Sequence, residues 1–545
     1  MRKFLVFALC FAVFLPPAFA KQAQPSLPDN VYFRAMQDEM NRTLKELRSP
    51  GSPAPYYAAY KLRHALTLSI WASLGQMRLS SFGPEENLSG VTILGVGSDK
   101  NDQLGFENNR FSYDPFGSRN MPSSYDGIRR DLWNLSNSEY HMSLDSFVKK
   151  QAYKRKKELS TTLPDMVPAP QAAVFEEAEK FDLPDTAKWE EIVKTLSAKG
   201  KNVSQLDNFE AEFTDNHWEY YYLNSLGGAY QTLFHQVTLT LSARLRNRDG
   251  HVQSFYEYIP ISDYRTPDEK ALEEKTDAFL AEMLERYNAY KAESYLGPVL
   301  LRPHAAAQFI ESNFVWQVEN VKPLLSDLYE QDPHAGSFRE KKGMRVLSNV
   351  VDIVDKPLLR EYKGLPLFYM PVDDEGVPSQ ELKLTSLGRL RAFPLSRRPL
   401  AEGHESNGHA RLSSYSYPRE SLTNVFVEPK TPLSEEALQE EFLAMCRDWD
   451  LKYCYELETY GDSTNRAWRV YAEDGRRVPA YGLDLKNIST RSLRDIAAAG
   501  GEDAVYYTGN ADRPGTIVTP SLLLEEAEIL PVDAKPDRAP FVPKP

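Results

Sequence analysis

The chain has 545 residues, of which 42% are hydrophobic and 12% aromatic, and its net charge is −13. This length exceeds one ordinary hydrophobic core and predicts two or three domains, and the composition excludes a disordered chain. The acidic balance excludes a general nucleic-acid-binding protein, because phosphate neutralisation needs clustered Lys and Arg. One basic cluster, within residues 149–157, lies on a predicted helix and is interpreted as a solvated face.

The first twenty residues have the pattern of a cleaved signal peptide. Two basic residues precede an apolar run over residues 4–15, and Ala18-Phe19-Ala20 provides the small residues that signal peptidase requires. The apolar run is too short to span roughly 30 Å of hydrocarbon as a helix. We therefore expect a signal peptide over residues 1–20, cleavage between Ala20 and Lys21, and a periplasmic or secreted protein without a membrane span.

The hydrophobic pattern of the next part predicts two units that each begin with a helix and continue into strands. The first unit is an N-terminal α+β domain, residues 21–162, with an amphipathic helix over residues 31–47. Residues 98–140 within it are rich in Asp, Asn, Ser and Gly and are predicted as loops with short helical turns. A Pro-rich linker, residues 163–170, precedes the second unit, a middle α+β domain over residues 171–292.

The last third is predicted as a strand-rich C-terminal domain, residues 293–530, followed by a polar tail, residues 531–545. One helix interrupts its strands, with Ser434 as the N-cap and two glutamates in the first turn, where they favour the helix dipole. Strand runs and helix runs are segregated rather than alternating. The predicted fold class is therefore α+β rather than α/β.

Two cysteines, Cys446 and Cys454, remain after removal of the signal peptide. An exported protein can join such a pair in a disulfide, and the two residues fall at the end of a predicted helix and the start of a predicted strand. Two free thiols are the alternative. We favour the free thiols, because spacing alone does not establish the geometry of a bridge.

Common catalytic signatures are missing from the sequence, including a Gly-rich phosphate loop, G-x-S-x-G and H-E-x-x-H. The closest pair of histidines, His404 and His409, lies in a Gly-containing loop and is interpreted as part of a surface loop rather than a metal site. The acidic run Asp373-Asp374-Glu375-Gly376 contains possible ligands of a hard cation. A turn with solvated carboxylates is the commoner explanation and is the one we expect.

Several stretches resemble the TldD/PmbA family of metallopeptidases and metallopeptidase-like partners, also called modulators of DNA gyrase. Gly297-Pro298-Val299-Leu300-Leu301 resembles the strand that enters the key helix of the family, and Ser406-Asn407-Gly408-His409-Ala410-Arg411 resembles its Asn-Gly turn. Residues 419–429 (RESLTNVFVEP) resemble the strand that follows. Residues 221–227 (YYLNSLG) and 519–526 (TPSLLLEE) resemble an earlier turn of an exported subgroup and the C-terminal ending. The resemblance covers most of the mature chain.

The chain departs from the family at the zinc motif. Active members carry H-E-x-x-x-H on the helix after the buried strand, where two histidines bind zinc and the glutamate polarises the attacking water. The residues at these positions are Glu311, Ser312 and Trp316, and a register shifted by one residue supplies no histidine either. Glu311 is therefore interpreted as an ordinary helix-surface residue, and His304 as a residue of the first helical turn.

The resemblance implies an exported, metal-free member of the family that acts as a peptide-binding or assembly subunit and is not catalytic alone. We expect no metal and no cofactor, and a groove in the C-terminal domain with His304, Glu311, Asn407 and His409 as candidate binding residues. The expected partners are a TldD-like subunit or a second copy of the chain, and an extended peptide. The alternative is an active metallopeptidase whose metal site is built from other residues, such as His404 and His409, or is supplied by a partner.

Overall fold

The computed structural model describes residues 25–80, 85–107, 120–159, 163–177, 181–319, 321–326, 336–412, 417–461, 465–510, 513–533 and 535–537. The expected signal peptide lies outside these residues, so its cleavage stays a prediction. Within the described part of the chain, no helix has the length and apolar character needed to cross a membrane.

The helices and strands of the first half are, in chain order, α1 (Val31–Glu46), β1 (Pro55–Ser73), β2 (Gln76–Ser80), β3 (Glu85–Ser98), β4 (Asn101–Asp102), β5 (Phe106–Glu107), α2 (Tyr125–Lys156), β6 (Ala173–Phe175), α3 (Thr186–Ala198), β7 (Leu206–Asn224), β8 (Ala229–Arg246), β9 (Val252–Pro260) and α4 (Glu269–Arg286). Those of the second half are β10 (Tyr290–Lys291), β11 (Tyr295–Leu301), α5 (Pro303–Ile310), α6 (Trp316–Val318), β12 (Leu325–Ser326), β13 (Val351–Asp355), β14 (Glu361–Tyr362), β15 (Leu365–Pro366), β16 (Leu382–Lys383), β17 (Thr385–Ser386), β18 (Arg389–Leu390), β19 (Ala410–Leu412), β20 (Pro418–Glu420), β21 (Asn424–Pro429), α7 (Glu435–Asp448), β22 (Tyr453–Leu457), β23 (Ala467–Tyr471), β24 (Arg477–Tyr481), β25 (Leu483–Asp484), β26 (Ile496–Asn510) and β27 (Arg513–Pro531). Helices and mainly antiparallel sheets confirm the α+β prediction.

The first sheet has eight strands in the order β4-β3-β1-β7-β8-β6, with β2 beside β1 and β9 beside β8. Its centre is the long antiparallel pair β1 and β7, in which Ala59 lies opposite Asn224 and Ser73 opposite Glu210. The two predicted N-terminal units therefore contribute to one sheet rather than two. The domain boundaries that we drew for them stay a prediction.

One face of this sheet is apolar and the other is largely polar, because side chains alternate along a strand. On β7 the buried Phe209, Ala211 and Phe213 alternate with half-exposed polar residues. Helices α3 and α4 cover the apolar face, where Trp189 stacks on Phe213 with ring centroids 4.0 Å apart. The polar face meets the C-terminal domain, and at that contact it also carries an aromatic cluster in which Tyr220 and Phe234 pack on Phe368.

The second sheet has eleven strands, nine of them in the order β10-β24-β23-β22-β11-β27-β21-β13-β16, and β25 and β26 also pair with β27. Strands β11 and β22 run parallel at its centre, and both are followed by segments that face the first sheet. Helix α7 packs on the core of this sheet through Leu438, Phe442 and Cys446. Ser434 accepts a hydrogen bond from Ala437 N and caps α7, as predicted.

Helix α2 begins much earlier than the sequence indicated, since Tyr125–Lys156 includes residues predicted as loops. The polar residues that led to the loop prediction form hydrogen bonds inside the protein. Ser136 Oγ lies 2.8 Å from the Tyr60 hydroxyl, and Ser143 donates to Glu139 at 3.0 Å. On the same helix Lys150 is buried and pairs with Asp165 at 3.0 Å, so the basic cluster is not solvated throughout.

The two cysteines form a disulfide, with Cα atoms 6.0 Å apart. Our expectation of two free thiols is therefore wrong. Asp450 adopts a positive φ of 53° and reverses the chain after α7, which brings β22 back beside the last turn of that helix. Spacing alone did not reveal this reversal.

Candidate functional site

A cleft of about 1160 Å³ lies between the polar face of the first sheet and the C-terminal domain. Its wall on the first sheet carries hydroxyl and amide side chains, which include Asn216, Gln236 and Thr238. The opposite wall is formed by the start of α5, the segment 458–461 and residues 503–507 of β26. The cleft is thus built from parts of the chain that are far apart in sequence.

The start of α5 faces the cleft because its other side is apolar. Pro303 occupies the first turn, and Ala305, Ala306 and Ala307 are buried in the core of the second sheet. His304 and Gln308, four residues apart, lie on one face of the helix and line the cleft. Gln308 Oε1 accepts a hydrogen bond from Tyr460 N at 2.7 Å, which fixes the neighbouring segment.

His304 is placed in the cleft wall next to an aromatic ring. Its ring centroid lies 4.7 Å from that of Tyr506 on β26. Burial and the nearby positive charge of Arg466 lower the pKa of His304 to about 4. The imidazole is therefore neutral at neutral pH and contributes a flat polar surface rather than a charge.

Glu311 opens a π-helical turn, Glu311–Val315, that joins α5 to α6. Its carboxylate accepts a hydrogen bond from the Thr508 hydroxyl on β26. Burial raises the pKa of Glu311, while Thr508 and Arg513 oppose that shift. The interpretation of Glu311 as an ordinary helix-surface residue is therefore wrong, because the side chain is half-buried and bonded to the second sheet.

The other two positions of the zinc motif face solvent. Ser312 is exposed, and Trp316 is 59% exposed. Neither belongs to the cleft wall. Glu311, Ser312 and Trp316 consequently do not converge on a common point as ligands of one metal ion must.

Asn407 and His409 lie inside the C-terminal domain and not in the cleft wall. Asn407 Oδ1 accepts from Leu395 N at 2.7 Å, and His409 Nε2 lies 3.1 Å from a carboxylate oxygen of Asp355. His409 is buried and Asn407 is half-buried, so neither contributes to the wall of this cleft, and their role in a binding groove stays a prediction. These side chains hold the Asn-Gly turn against β13.

His404 also has a structural environment. Its Nε2 lies 2.7 Å from Ser396 O, whereas His409 contacts Asp355. The two histidines therefore use different partners. Among the described residues, no three His, Cys, Asp or Glu side chains are arranged to hold a metal ion.

The zinc of active family members does not fit the residues that this chain has at the motif. Its first position is a glutamate bonded to Thr508, and the other two face solvent. Cys446 and Cys454 are joined in the disulfide, so neither offers a thiolate to a metal ion. No catalytic step through zinc can be derived from this set of donors.

Asp373, Asp374 and Glu375 are buried, in contrast to the solvated turn that we expected. Asp374 accepts from Lys61 Nζ at 2.9 Å and from the Tyr230 hydroxyl at 2.6 Å. Burial alone raises the pKa of Asp374, but Lys61 and these hydrogen bonds outweigh it and lower the pKa. The acidic run therefore joins the C-terminal domain to the first sheet.

The neighbouring carboxyl groups behave differently from Asp374. Burial raises the pKa of Glu375 to about 7, although Arg397 opposes the shift and its backbone N–H donates to Glu375 at 2.6 Å. Burial and the charge of Glu375 also raise the pKa of Asp373. The contact between the first sheet and the C-terminal domain thus contains a carboxyl group, that of Glu375, with a pKa close to neutral pH.

An ion-pair network fixes one end of the cleft. Arg466 Nη1 donates to Glu257 on β9 at 2.6 Å, and its Nε donates to Glu282 on α4 at 3.0 Å. Burial lowers the pKa of Arg466, but the hydrogen bonds and the charge of Glu282 outweigh it and raise that pKa. This pairing could not be predicted from the sequence, because the partners are about two hundred residues apart.

Two exposed tyrosines on the first-sheet wall were also missed from the sequence. Tyr256 and Tyr258 are 49% and 57% exposed, and their rings stack with centroids 6.3 Å apart. Both line the cleft. Two tyrosines at alternate positions of a predicted strand share a face, so the spacing Tyr-x-Tyr was a usable signal for an aromatic binding surface.

Residues 293–530 match the family model described as the PmbA/TldA metallopeptidase C-terminal domain. A comparison with curated protein sequences finds no match. Among solved structures, the chain is similar to TldE from Thermococcus kodakarensis, at 15% sequence identity and a TM-score of 0.59, over 91% of this chain and 100% of that chain.

It is also similar to a proposed modulator of a DNA gyrase from Thermotoga maritima, at 16% identity and a TM-score of 0.61, over 91% of this chain and 100% of that one. A proposed modulator of DNA gyrase from Bacteroides thetaiotaomicron has 12% identity and a TM-score of 0.57, over 92% and 99%. These likenesses show the fold, and the family model adds the C-terminal domain. Residues 293–530 are therefore identified with the C-terminal domain of the PmbA/TldA family, and the chain as a whole shares the fold of these structures.

Proposed function

We propose that this protein is an exported, metal-free subunit that binds an extended peptide in the cleft and works within a metallopeptidase-like system. The observation that carries the proposal is a large cleft beside a zinc-motif position occupied by Glu311, which is bonded to Thr508. The chain thus has space for a ligand next to positions that lack the histidines expected from the family resemblance. A binding role accounts for both.

The walls of the cleft suit an extended peptide. Among the described residues, β26 pairs with β27 and is bridged to Leu433 at Gly500, whereas residues 503–507 of β26 pair with β27 alone and border the cleft. An unpaired strand edge can pair with the backbone of an added peptide, and neighbouring pockets then select its side chains. Hydroxyl and amide side chains such as Thr238 and Gln236 provide hydrogen bonds on the opposite wall.

The disulfide supports export. Disulfides persist in oxidising compartments and are rare in the cytosol. The bond between Cys446 and Cys454 therefore agrees with the signal peptide expected over residues 1–20. The fold similarity to TldE from Thermococcus kodakarensis supports a TldD-like subunit as the partner, with a second copy of this chain as the other candidate.

Fluorescence anisotropy with a labelled pool of random-sequence decapeptides tests the binding role, with the mature chain in EDTA. Tyr258→Ala removes an exposed ring from the cleft wall, and Tyr290→Ala, a 49% exposed tyrosine outside it, is the matched control. We expect the parent chain to bind the peptides. Tyr258→Ala should lose at least about fivefold in affinity, which is the effect expected when a central contact residue is truncated. The control should bind as the parent does.

The competing function is an active metallopeptidase with a divergent or partner-supplied metal. Incubation of the same peptides with zinc, followed by mass spectrometry, separates the two functions. Intact peptides support the binding subunit. Zinc-dependent fragments, or binding that appears only after zinc is added, would favour the peptidase.

A further inference from the structure

A surface outside the cleft wall combines exposed apolar side chains with positive charges that form no ion pair among the described residues. It consists of Lys342, Met344, Arg345, Leu387, Arg389 and Arg391, and we name it the basic–apolar tip. Two neighbouring turns build it. Gly343 N donates to Leu390 O at 2.7 Å, Leu390 N donates to Met344 O at 3.0 Å, and Arg345 is bridged to Arg389.

The apolar members are at the ends of turns. Met344 is 56% exposed, and Leu387 is 62% exposed at the turn between β17 and β18. Leu387 has a φ of 54°, a conformation that Gly and Asn adopt at far lower cost. The turn itself needs only the backbone N–H of Leu387, which donates to Asp352 at 3.0 Å. Folding therefore gives no reason for a large apolar side chain at this position.

The carboxylate nearest to the Leu387 turn, Asp352, pairs with Lys383 and Lys430 rather than with a cation of the tip. Among the described residues, Lys342, Arg345, Arg389 and Arg391 form no ion pair, and Arg389 gives one N–H to Gly343 O at 3.0 Å. Like charges directly opposite each other on paired strands destabilise the pair. Arg345 and Arg389 are in that arrangement in a chain whose net charge is −13. An unfavourable cluster of this kind points to an anionic surface outside the chain.

We propose that the basic–apolar tip docks on an anionic lipid surface. Two apolar side chains at turn ends are far too small for the apolar centre of a protein interface, which buries about 800 Å² per partner. They are suited to the boundary between headgroups and acyl chains, with the cations beside lipid phosphates. This contact would hold the protein at a membrane without any spanning segment and leave the cleft open.

Vesicle sedimentation with the full mature chain tests the proposal. The probes are vesicles of phosphatidylglycerol and phosphatidylcholine in equal parts, and vesicles of phosphatidylcholine alone. We expect binding to the anionic vesicles only, weakened by added salt because the charges are exposed. Lys342→Glu with Arg345→Glu should lower the partition coefficient at least about tenfold, since each basic residue contributes to attraction at the surface.

Matched controls lie on α2 and just after it. Lys156→Glu with Lys157→Glu makes the same charge change in the basic cluster singled out from the sequence. The pair Met344→Ser and Leu387→Ser tests the apolar part against Val148→Ser and Leu159→Ser, which are 63% and 45% exposed. The tip variants should lose binding several-fold and the control variants should not. Peptide anisotropy and circular dichroism on every variant establish that the cleft and the fold are unchanged.

Three outcomes would overturn the proposal. The first is no binding to anionic vesicles. The second is an equal loss in the tip and α2 charge variants, which would assign the effect to net charge rather than to the tip. The third is a tip that proves necessary for capture of a TldD-like subunit but not for vesicle binding, which would make it a protein interface. A failure of peptide binding alone leaves the vesicle result interpretable, because the two surfaces are separate.

Discussion

The Glu311 carboxylate accepts a hydrogen bond from the Thr508 hydroxyl, and this contact joins the helix after β11 to the strand that borders the cleft. In active relatives the same position is expected to hold the first zinc-binding histidine. In this chain the position therefore carries a structural contact rather than a metal ligand. The cleft that we propose as the peptide-binding site is bordered by the same strand.

Replacement of Glu311 by Gln tests this structural role through the pH dependence of stability. Because burial raises the pKa of Glu311, its stabilising contribution is full below the unfolded pKa and is lost as pH rises through the folded pKa. Gln retains an acceptor for Thr508 but carries no charge. We expect Glu311→Gln to raise the free energy of unfolding by up to about 1 kcal/mol relative to the parent at pH 8. At pH 4 the gain should disappear.

Urea unfolding at the two pH values measures this difference. Glu340→Gln is the matched control, since the Glu340 side chain is 85% exposed and should give no pH-dependent change. A loss of several kcal/mol in Glu311→Gln at pH 8 would contradict the account. It would show that the charged carboxylate is needed there.

The ion pair of Lys61 and Asp374 predicts a large effect on stability. Both side chains are buried, and removal of one partner leaves an uncompensated charge in the interior. We expect Lys61→Met to lower the free energy of unfolding by about 3–5 kcal/mol. Lys100→Met, at an exposed lysine, should change it by no more than about 0.5 kcal/mol. Equal effects of the two variants in urea unfolding would exclude the buried pair as the connection between the halves.

The pKa of Glu375, at the contact between the first sheet and the C-terminal domain, predicts that the stability of the protein depends on pH. Its folded pKa of about 7 lies above the ordinary value of 4.5, so its stabilising contribution is full below pH 4.5 and is lost as pH rises through 7. Glu375→Gln should remove this loss, which amounts to about 1–3 kcal/mol. Thermal unfolding across pH 5 to 8 should be flatter for the variant. A variant that keeps the slope of the parent would assign the dependence to other groups.

Features formed by residues close together in the sequence could be predicted, whereas features formed by distant residues could not. Helix α7 was found because its Ser434 cap and its apolar spacing lie within one stretch of chain. The burial of Asp374 was missed because its partners Lys61 and Tyr230 are far away in sequence, and an isolated acidic run is typical of a solvated turn. A groove with His304 was expected in the C-terminal domain, but the wall on the first sheet was missed for the same reason, since Thr238, His304 and Tyr506 meet only after folding.

The disulfide should contribute substantially to stability. It links residues eight positions apart, and closing a loop of that length restricts the unfolded chain by about 2–3 kcal/mol. Cys446→Ala with Cys454→Ala should lose this amount in urea unfolding, and reducing agent should have no effect on the variant. Thiol labelling of the denatured parent protein should find no reactive cysteine in the mature chain. Two labelled thiols would show that Cys446 and Cys454 are free, as expected from the sequence.

Elemental analysis of the purified mature protein measures whether the chain carries zinc. We expect far less than one zinc per chain, and EDTA should leave thermal unfolding unchanged, because stability depends on a metal only where a site exists. One zinc per chain, lost in Glu311→Gln or His304→Ala, would contradict the account. The protein would then have a divergent active site, and the metallopeptidase function would lead.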